Sequence, residues 1–404
     1  MINKKNHIYG LLNNLVNLIA PIAVLPFVIN HTGINNYGTF VQVNIIYALT
    51  TAVLFTSLTG YFIKEFVTNE KQIGIIFLLQ MIFALVSGIA FLFYLLITKT
   101  YSDSFIFLLA IISNSVNFEW FFHAKGMQKE LFFRTLIIRI LFLSAVFLII
   151  PIYQSIHIYI VIYSLVIILA NILTFIVVIK KITLHTLLSS ISDARNLKKI
   201  RTIIWDAKYF MLTPAVGSIY QYGDQILVSF LFGNAQLVFV NLAKQIIGAS
   251  VMVSGTLCRV EQKNIIAVNG NERLKRIKKT FSYYSLYLLT CFIGINSILP
   301  IMLNFLIADT KSLAFWYYIL ISFVFVITSV SIFIDYLIGV SYRREFLTLK
   351  SNIICAIIVT SLNLTFLKHF GAYFSLFSLT IGEAIVVTLL LFFHRKAFGR
   401  EKII

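Results

Sequence analysis

Residues Trp205 to Lys244 read WDAKYFMLTPAVGSIYQYGDQILVSFLFGNAQLVFVNLAK, apolar enough to enter a bilayer yet carrying Asp206, Lys208, Asp224 and Lys244. An ionisable side chain in the middle of hydrocarbon costs about 2.5–3.5 kcal/mol on insertion scales, so such groups face a bundle interior or a water-filled cavity. Gly233-Asn234 supplies a tight turn, which folds the stretch into two antiparallel spans. Asp224 stands nine residues before Gly233 and Lys244 eleven after it. The two charges therefore reach similar depth, where pairing would reduce the cost of each. Lys208 lies nearer the start of the first span, about five residues in, or roughly 8 Å at about 1.5 Å per residue. Pro214 and Gly217 fall where a plain spanning helix would run uninterrupted.

The rest of the 404-residue chain has the same character. Hydrophobic residues make up 59% and charged residues 12%, against about 45–50% apolar in soluble domains. The apolar residues fall in blocks of about 20, the length that spans roughly 30 Å of hydrocarbon. This composition describes an all-α polytopic membrane protein. A net charge of +18 does not indicate nucleic acid, because the basic residues form short clusters between apolar runs. Cys258, Cys291 and Cys355 lie in or beside apolar segments without metal-ligand spacing, so neither a disulfide nor a metal site is expected. The apolar run from Ile8 to Ile29 is too long for the core of a signal peptide and reads as a retained first helix.

Twelve spans are expected, at 8–30, 38–60, 73–97, 105–123, 131–150, 157–179, 203–232, 236–257, 281–306, 313–338, 349–367 and 372–394. The two long connections are Lys180–Thr202 and Arg259–Thr280. Of the 33 Lys and Arg, 27 fall in the N-terminus, every second loop and the C-terminal tail; the opposite loops hold only Lys99, Lys311 and Lys368. That bias predicts cytoplasmic N and C termini. The chain also looks doubled, as an N-terminal six-helix lobe at 1–190, a cytoplasmic linker at 191–202 and a C-terminal six-helix lobe at 203–404. An even number of spans gives both halves the same orientation and relates them by an axis along the membrane normal. Interior prolines recur in the first helix of each half, Pro21 and Pro26 in one and Pro214 in the other. With Gly217 they mark two helices able to bend, because proline frees a backbone carbonyl towards a cavity.

Enzymatic chemistry finds little support. The outward loops are minimal, their histidines share no motif, and no Walker A loop or cofactor motif occurs. The intramembrane charges carry more meaning. Lys208, Lys244 and Arg139 could line a cationic cavity for an anionic head group. Glu383, near mid-membrane with no partner obvious from sequence, or Asp224, could take a proton for coupling. Glu119 and Arg139 could pair, and so could Asp224 and Lys244 as a brace between helices. Tyr220, Gln221 and Tyr222 suit contact with a sugar.

Several motifs then resemble one family. Gly33 with Tyr37-Gly38-Thr39-Phe40, Asn117-Phe118-Glu119-Trp120-Phe121-Phe122 with Gly126, Arg134 and Arg139, Ile219-Tyr220 with Asp224 and Leu227, Ala243-Lys244-Gln245-Ile246, and Leu362-Asn363 with Gly371-Ala372 and Ile381-Gly382-Glu383 form a set. It is similar to that of the polysaccharide exporters of the multidrug/oligosaccharidyl-lipid/polysaccharide superfamily, and most resembles O-antigen-type (Wzx-type) lipid-linked oligosaccharide flippases. The chain departs from the pattern at Phe239-Val240-Asn241-Leu242 and around Cys258-Arg259. The resemblance implies two lobes around a central cavity and alternating access with bending of spans 1 and 7. It implies a transporter, not an enzyme, that moves an undecaprenyl-diphosphate-linked oligosaccharide from the cytoplasmic to the periplasmic leaflet of a bacterial inner membrane. Membrane lipids, a polysaccharide polymerase and a chain-length regulator are the partners this implies, with no nucleic acid. A cation-coupled multidrug exporter of the same superfamily, or a membrane-embedded polymerase or ligase, are the alternatives. The first would favour acidic cavity residues, and the second a large outward loop.

Overall fold

The computed structural model describes residues 4–52, 62–63, 66, 73–98, 105–182, 197–266, 268, 270–306, 315–339 and 345–400. The first unit contains α1 (Lys4–Thr32), α2 (Ile34–Thr51), α3 (Ile73–Thr98), α4 (Phe105–Ser113), α5 (Glu119–Ala124), α6 (Gln128–Tyr153) and α7 (Ile156–Lys181). Next comes α8 (Leu197–Phe232), then α9 (Asn234–Ile266), α10 (Gly270–Leu306), α11 (Phe315–Ile334), α12 (Glu345–Phe370) and α13 (Phe374–Arg400). Ten helical stretches among the described residues, one of them the interrupted Phe105–Ala124, are long and apolar enough to cross a membrane. The two other expected spans, at 38–60 and 203–232, coincide in part or in full with α2 and α8. Residues 53–61, which would complete the former, lie outside the described set.

The chain divides into two compact units, Met1–Ser218 and Ile219–Ile404, with the division inside α8. Half of the linker expected at 191–202, residues 191–196, lies outside the described residues, and the other half is the start of α8. Each unit repeats the same internal packing. In the first, α4 packs on α3 and α7, and α6 packs on α7. In the second, α11 packs on α10 and α13, and α12 packs on α13. The hairpin turns repeat as well: Gly33 and Gly233 have φ of 84° and 82°, and Gln154 and Gly371 have φ of 47° and 85°. Gly33 and Gly233 end one helix and start the next within a single position, while the next helix starts two residues after Gln154 and three after Gly371; the left-handed geometry favours glycine.

Burial is arranged for a bilayer. Leu148 and Ile152 on α6 are 70% and 75% exposed, while Phe142, Val146 and Ile150 on the same helix are fully buried. Two expectations need correction. The fourth span is not one helix: α4 ends at Ser113, a 3-10 turn covers Asn114–Val116, and a helix resumes only at Glu119. Two asparagines and two serines at 113–117 explain this, since their side chains compete for backbone groups. Nor is Arg259–Thr280 a long connection. α9 runs on to Ile266 and α10 begins at Gly270. Arg, Lys and Glu are good helix formers, Glu272 and Arg276 pair at i, i+4, and Arg273 Nε donates to the Val268 carbonyl at 2.8 Å.

Helices α12 and α13 approach each other closely at Gly382. A Cβ on Gly382 would overlap the Val359 side chain and Cys355 Sγ. Gly382→Ala is therefore expected to lower stability by about 1–3 kcal/mol, the usual cost of overpacking. Gly248→Ala, where an added Cβ meets nothing within 4 Å, should leave the melting temperature unchanged or higher. Thermal unfolding of the two purified variants checks this.

Candidate functional site

In the second unit, α8 presents a buried stripe of Tyr220, Asp224, Gln225, Val228 and Ser229, the i, i+4, i+5 spacing of one helical face. Three of the five are strongly polar, so each must find a partner. Lys244 Nζ on α9 donates to Asp224 Oδ1 at 2.5 Å and to the Gln221 carbonyl at 2.5 Å. The Gln225 amide also donates to Asp224 Oδ1, at 2.8 Å. Gln225 Oε1 accepts from Asn241 Nδ2 at 2.9 Å, and Asn241 Oδ1 accepts from Gln245 Nε2 at 2.6 Å. A polar ladder thus joins α8 to α9. Four residues before Asp224, Tyr220 Oη donates to Glu383 Oε1 on α13 at 3.1 Å. Glu383 is 4% exposed, and among the described residues no cation forms an ion pair with it.

In the first unit, Arg139 on α6 donates through Nε and Nη2 to Asn17 Oδ1 on α1, at 3.2 and 3.1 Å. Asn17 is four residues before Pro21, so the proline cannot donate to the Asn17 carbonyl. The guanidinium therefore grips α1 where its own hydrogen-bond ladder is interrupted. Even so, α1 is one continuous helix through Pro21 and Pro26. The pairing expected between Glu119 and Arg139 is not found. Glu119 lies 3.6 Å from Arg134, because the break in the fourth span puts it on a short separate helix beside the first turns of α6.

That break is held by a second polar network. Asn171 Nδ2 on α7 donates to Ser113 Oγ at 2.8 Å and to Asn114 Oδ1 at 3.1 Å. Thr174 Oγ1 accepts from the Phe118 amide at 3.1 Å. Gln80 on α3 donates to the Asn117 carbonyl at 2.6 Å and accepts from Trp120 Nε1 at 3.2 Å. Backbone groups freed in a membrane must be satisfied by neighbouring protein, and these side chains do that.

Of the residues singled out in the sequence, the structure joins Asp224 to Lys244 and Tyr220 to Glu383. Gln221 is exposed and Tyr222 half-buried, so helical rotation sends the three neighbours in different directions. Pro214 and Lys208 lie within α8, but their side chains are outside the described set; Gly217 is half-buried. Sequence reasoning missed Asn17, Gln80, Asn171, Thr174 and Asn241. The available signal was the cost of an amide or hydroxyl inside an apolar block, which is smaller than that of a charge and easily passed over.

No protein-family model matches the sequence, and neither does any curated protein sequence. The fold is nevertheless similar to solved transporter structures over nearly the whole chain. An inward-facing multidrug resistance MATE family transporter of the MOP superfamily matches with a TM-score of 0.64 and 10% identity, covering 98% of this chain and 95% of that one. A MOP superfamily transporter from Pyrococcus furiosus, described as having a binding pocket of reversed polarity, matches with a TM-score of 0.58 and 12% identity over 98% and 95%. A MATE structure in complex with MaL6 matches with a TM-score of 0.58 and 9% identity over 99% and 98%. At these identities the likeness concerns the fold.

Proposed function

We propose that this chain is an alternating-access transporter that flips an undecaprenyl-diphosphate-linked oligosaccharide across a bacterial inner membrane, from the cytoplasmic to the periplasmic leaflet. The MATE-like fold supports transport, and the motif set supports the substrate class. The observation that carries the reading is Arg139. Its partner Asn17 is an uncharged amide, so the contact leaves its positive charge available to an anion. A pyrophosphate supplies that anion. Binding it would draw Arg139 from Asn17 and release α1 at the point where Pro21 already weakens it. Lys208 on α8 is the second candidate contact, and Glu383 the proton carrier that couples transport to a gradient. Each elementary charge moved across 100 mV involves about 2.3 kcal/mol, enough for an ion gradient to drive the cycle. A polysaccharide polymerase and a chain-length regulator are the partners proposed for the same assembly line.

The test is reconstitution with a fluorescent lipid-pyrophosphate oligosaccharide, scoring transfer between leaflets. Arg139→Gln should slow transfer by about tenfold or more, since a hydrogen bond to a charged group contributes about 1.5–3 kcal/mol. Arg139→Lys, which keeps the charge but loses the fork, should fall between. Transfer at the wild-type rate in Arg139→Gln would remove the guanidinium from the substrate path. A cation-coupled drug exporter should instead respond to loss of acidic residues and move organic cations, which the same vesicles can measure.

A further inference from the structure

The helical extensions of α9 and α10 enclose a cavity of about 850 Å³ inside the second unit. That volume lies within the usual range for small-molecule sites, about 300–1,000 Å³. α9 contributes Leu257 and Glu261, and α10 contributes Arg276, Lys279, Tyr283 and Tyr287. The helices run antiparallel, so the lining is graded along the cavity. Arg276, Lys279 and Glu261 lie at the end towards the short 267–269 connection. Tyr283 and Tyr287 lie towards the apolar spans, while Leu257, nine residues before the end of α9, stands level with Lys279, nine after the start of α10. Lys279 and Tyr287 are eight residues apart, about 12 Å along the helix at about 1.5 Å per residue. Cation, then tyrosine, is the order in which a bilayer offers phosphate and then the glycerol at the edge of the hydrocarbon. Leu257 and Tyr283 are 44% and 67% exposed, so a ligand can enter from the side.

Charge selects the head group. The first turns of α10 hold Arg273, Lys275, Arg276, Lys278 and Lys279 against Glu272. Arg276 rests on Glu272 at 2.9 Å, but exposed pairs of this kind contribute little and yield to a better anion. Glu261 partly offsets the two lining cations and leaves them in excess. Basic pockets between spanning helices at a membrane surface are the setting in which acidic lipid head groups bind.

We infer that this cavity holds an anionic glycerophospholipid, its phosphate on Arg276 and Lys279 across from Leu257, its glycerol against Tyr283 and Tyr287, and its chains passing beyond Tyr287 into the bilayer. The site lies within one unit and stands independently of the transported substrate. The test uses full-length protein in mixed micelles with fluorescent phosphatidylglycerol, against phosphatidylcholine and inorganic phosphate as competitors. Wild type should retain phosphatidylglycerol at least about tenfold better than phosphatidylcholine. Arg276→Gln with Lys279→Gln should cut retention by about tenfold or more, since each basic residue near the surface contributes separately. Lys368→Gln, outside the cavity, should not change it, and Glu261→Gln should raise it. Leu257→Trp narrows the cavity with both cations in place and should also cut retention. Wild-type retention in Leu257→Trp would put the lipid on the open basic surface and overturn the proposal. Equal retention of phosphatidylcholine would do the same. Displacement by inorganic phosphate at equal concentration would make this a free-anion site and overturn the lipid assignment.

Discussion

Glu383→Gln is expected to abolish proton-driven leaflet transfer while leaving the melting temperature close to that of the wild type. Glu383 is buried, it accepts a hydrogen bond from the Tyr220 hydroxyl, and the tight packing of Gly382 on α12 fixes its position. Glutamine has the same shape and still offers an oxygen to Tyr220, so the hydrogen bond, worth about 0.5–1.5 kcal/mol net, survives. What it loses is the ability to take up and release a proton. Tyr220→Phe makes the complementary change: the carboxyl keeps its proton chemistry but loses its donor. Removing a partner from a buried polar atom costs about 1–3 kcal/mol, so this variant should be less stable yet still respond to the gradient. The measurement is transfer in proteoliposomes with and without an imposed proton gradient. A Glu383→Gln protein whose transfer still collapses when the gradient is removed would show that coupling resides elsewhere.

The Asp224–Lys244 contact was legible from residue counting, because Gly233 reverses the chain at one point and equal distances from a tight turn mean equal depth. The same count from Gly126 places Glu119 seven residues before the turn and Arg134 eight after, with Arg139 thirteen after. Arg134 is the depth match, and it is the observed partner. Arg139 stands five residues further along α6 and reaches α1 instead. Its real partner, Asn17, is 122 positions away and carries no charge to attract attention. Tyr220 and Glu383 are 163 positions apart, and nothing local announces that α13 will meet α8. Counting from turns thus recovers contacts between neighbouring helices. Contacts between helices distant in sequence need the packing itself. The broken fourth span was half legible: its asparagines and serines stand out in an apolar block, but hydropathy averages over them.

Single removal of either charge in the Asp224–Lys244 pair is expected to destabilise the protein strongly, whereas replacing both should not. Asp224 is 3% exposed, and its Oδ2 is buried with no hydrogen-bond partner. Loss of Lys244 would leave that carboxylate with only the Gln225 amide on its other oxygen. Breaking a buried pair from one side typically costs about 3–5 kcal/mol, while exchanging both partners for apolar groups of similar size is neutral or stabilising by about 1–4 kcal/mol. Asp224→Leu and Lys244→Met should therefore each lower the melting temperature, and the double variant should regain it. Transport then separates two roles that stability alone cannot. Lys244 already spends two donors inside the protein, on Asp224 and on the Gln221 carbonyl, and its side chain is only 11% exposed. That geometry describes a brace between α8 and α9, so leaflet transfer should return with stability in the double variant. A double variant that folds as well as the wild type but moves no substrate would instead place Lys244 on the anion, with Asp224 holding it ready between cycles.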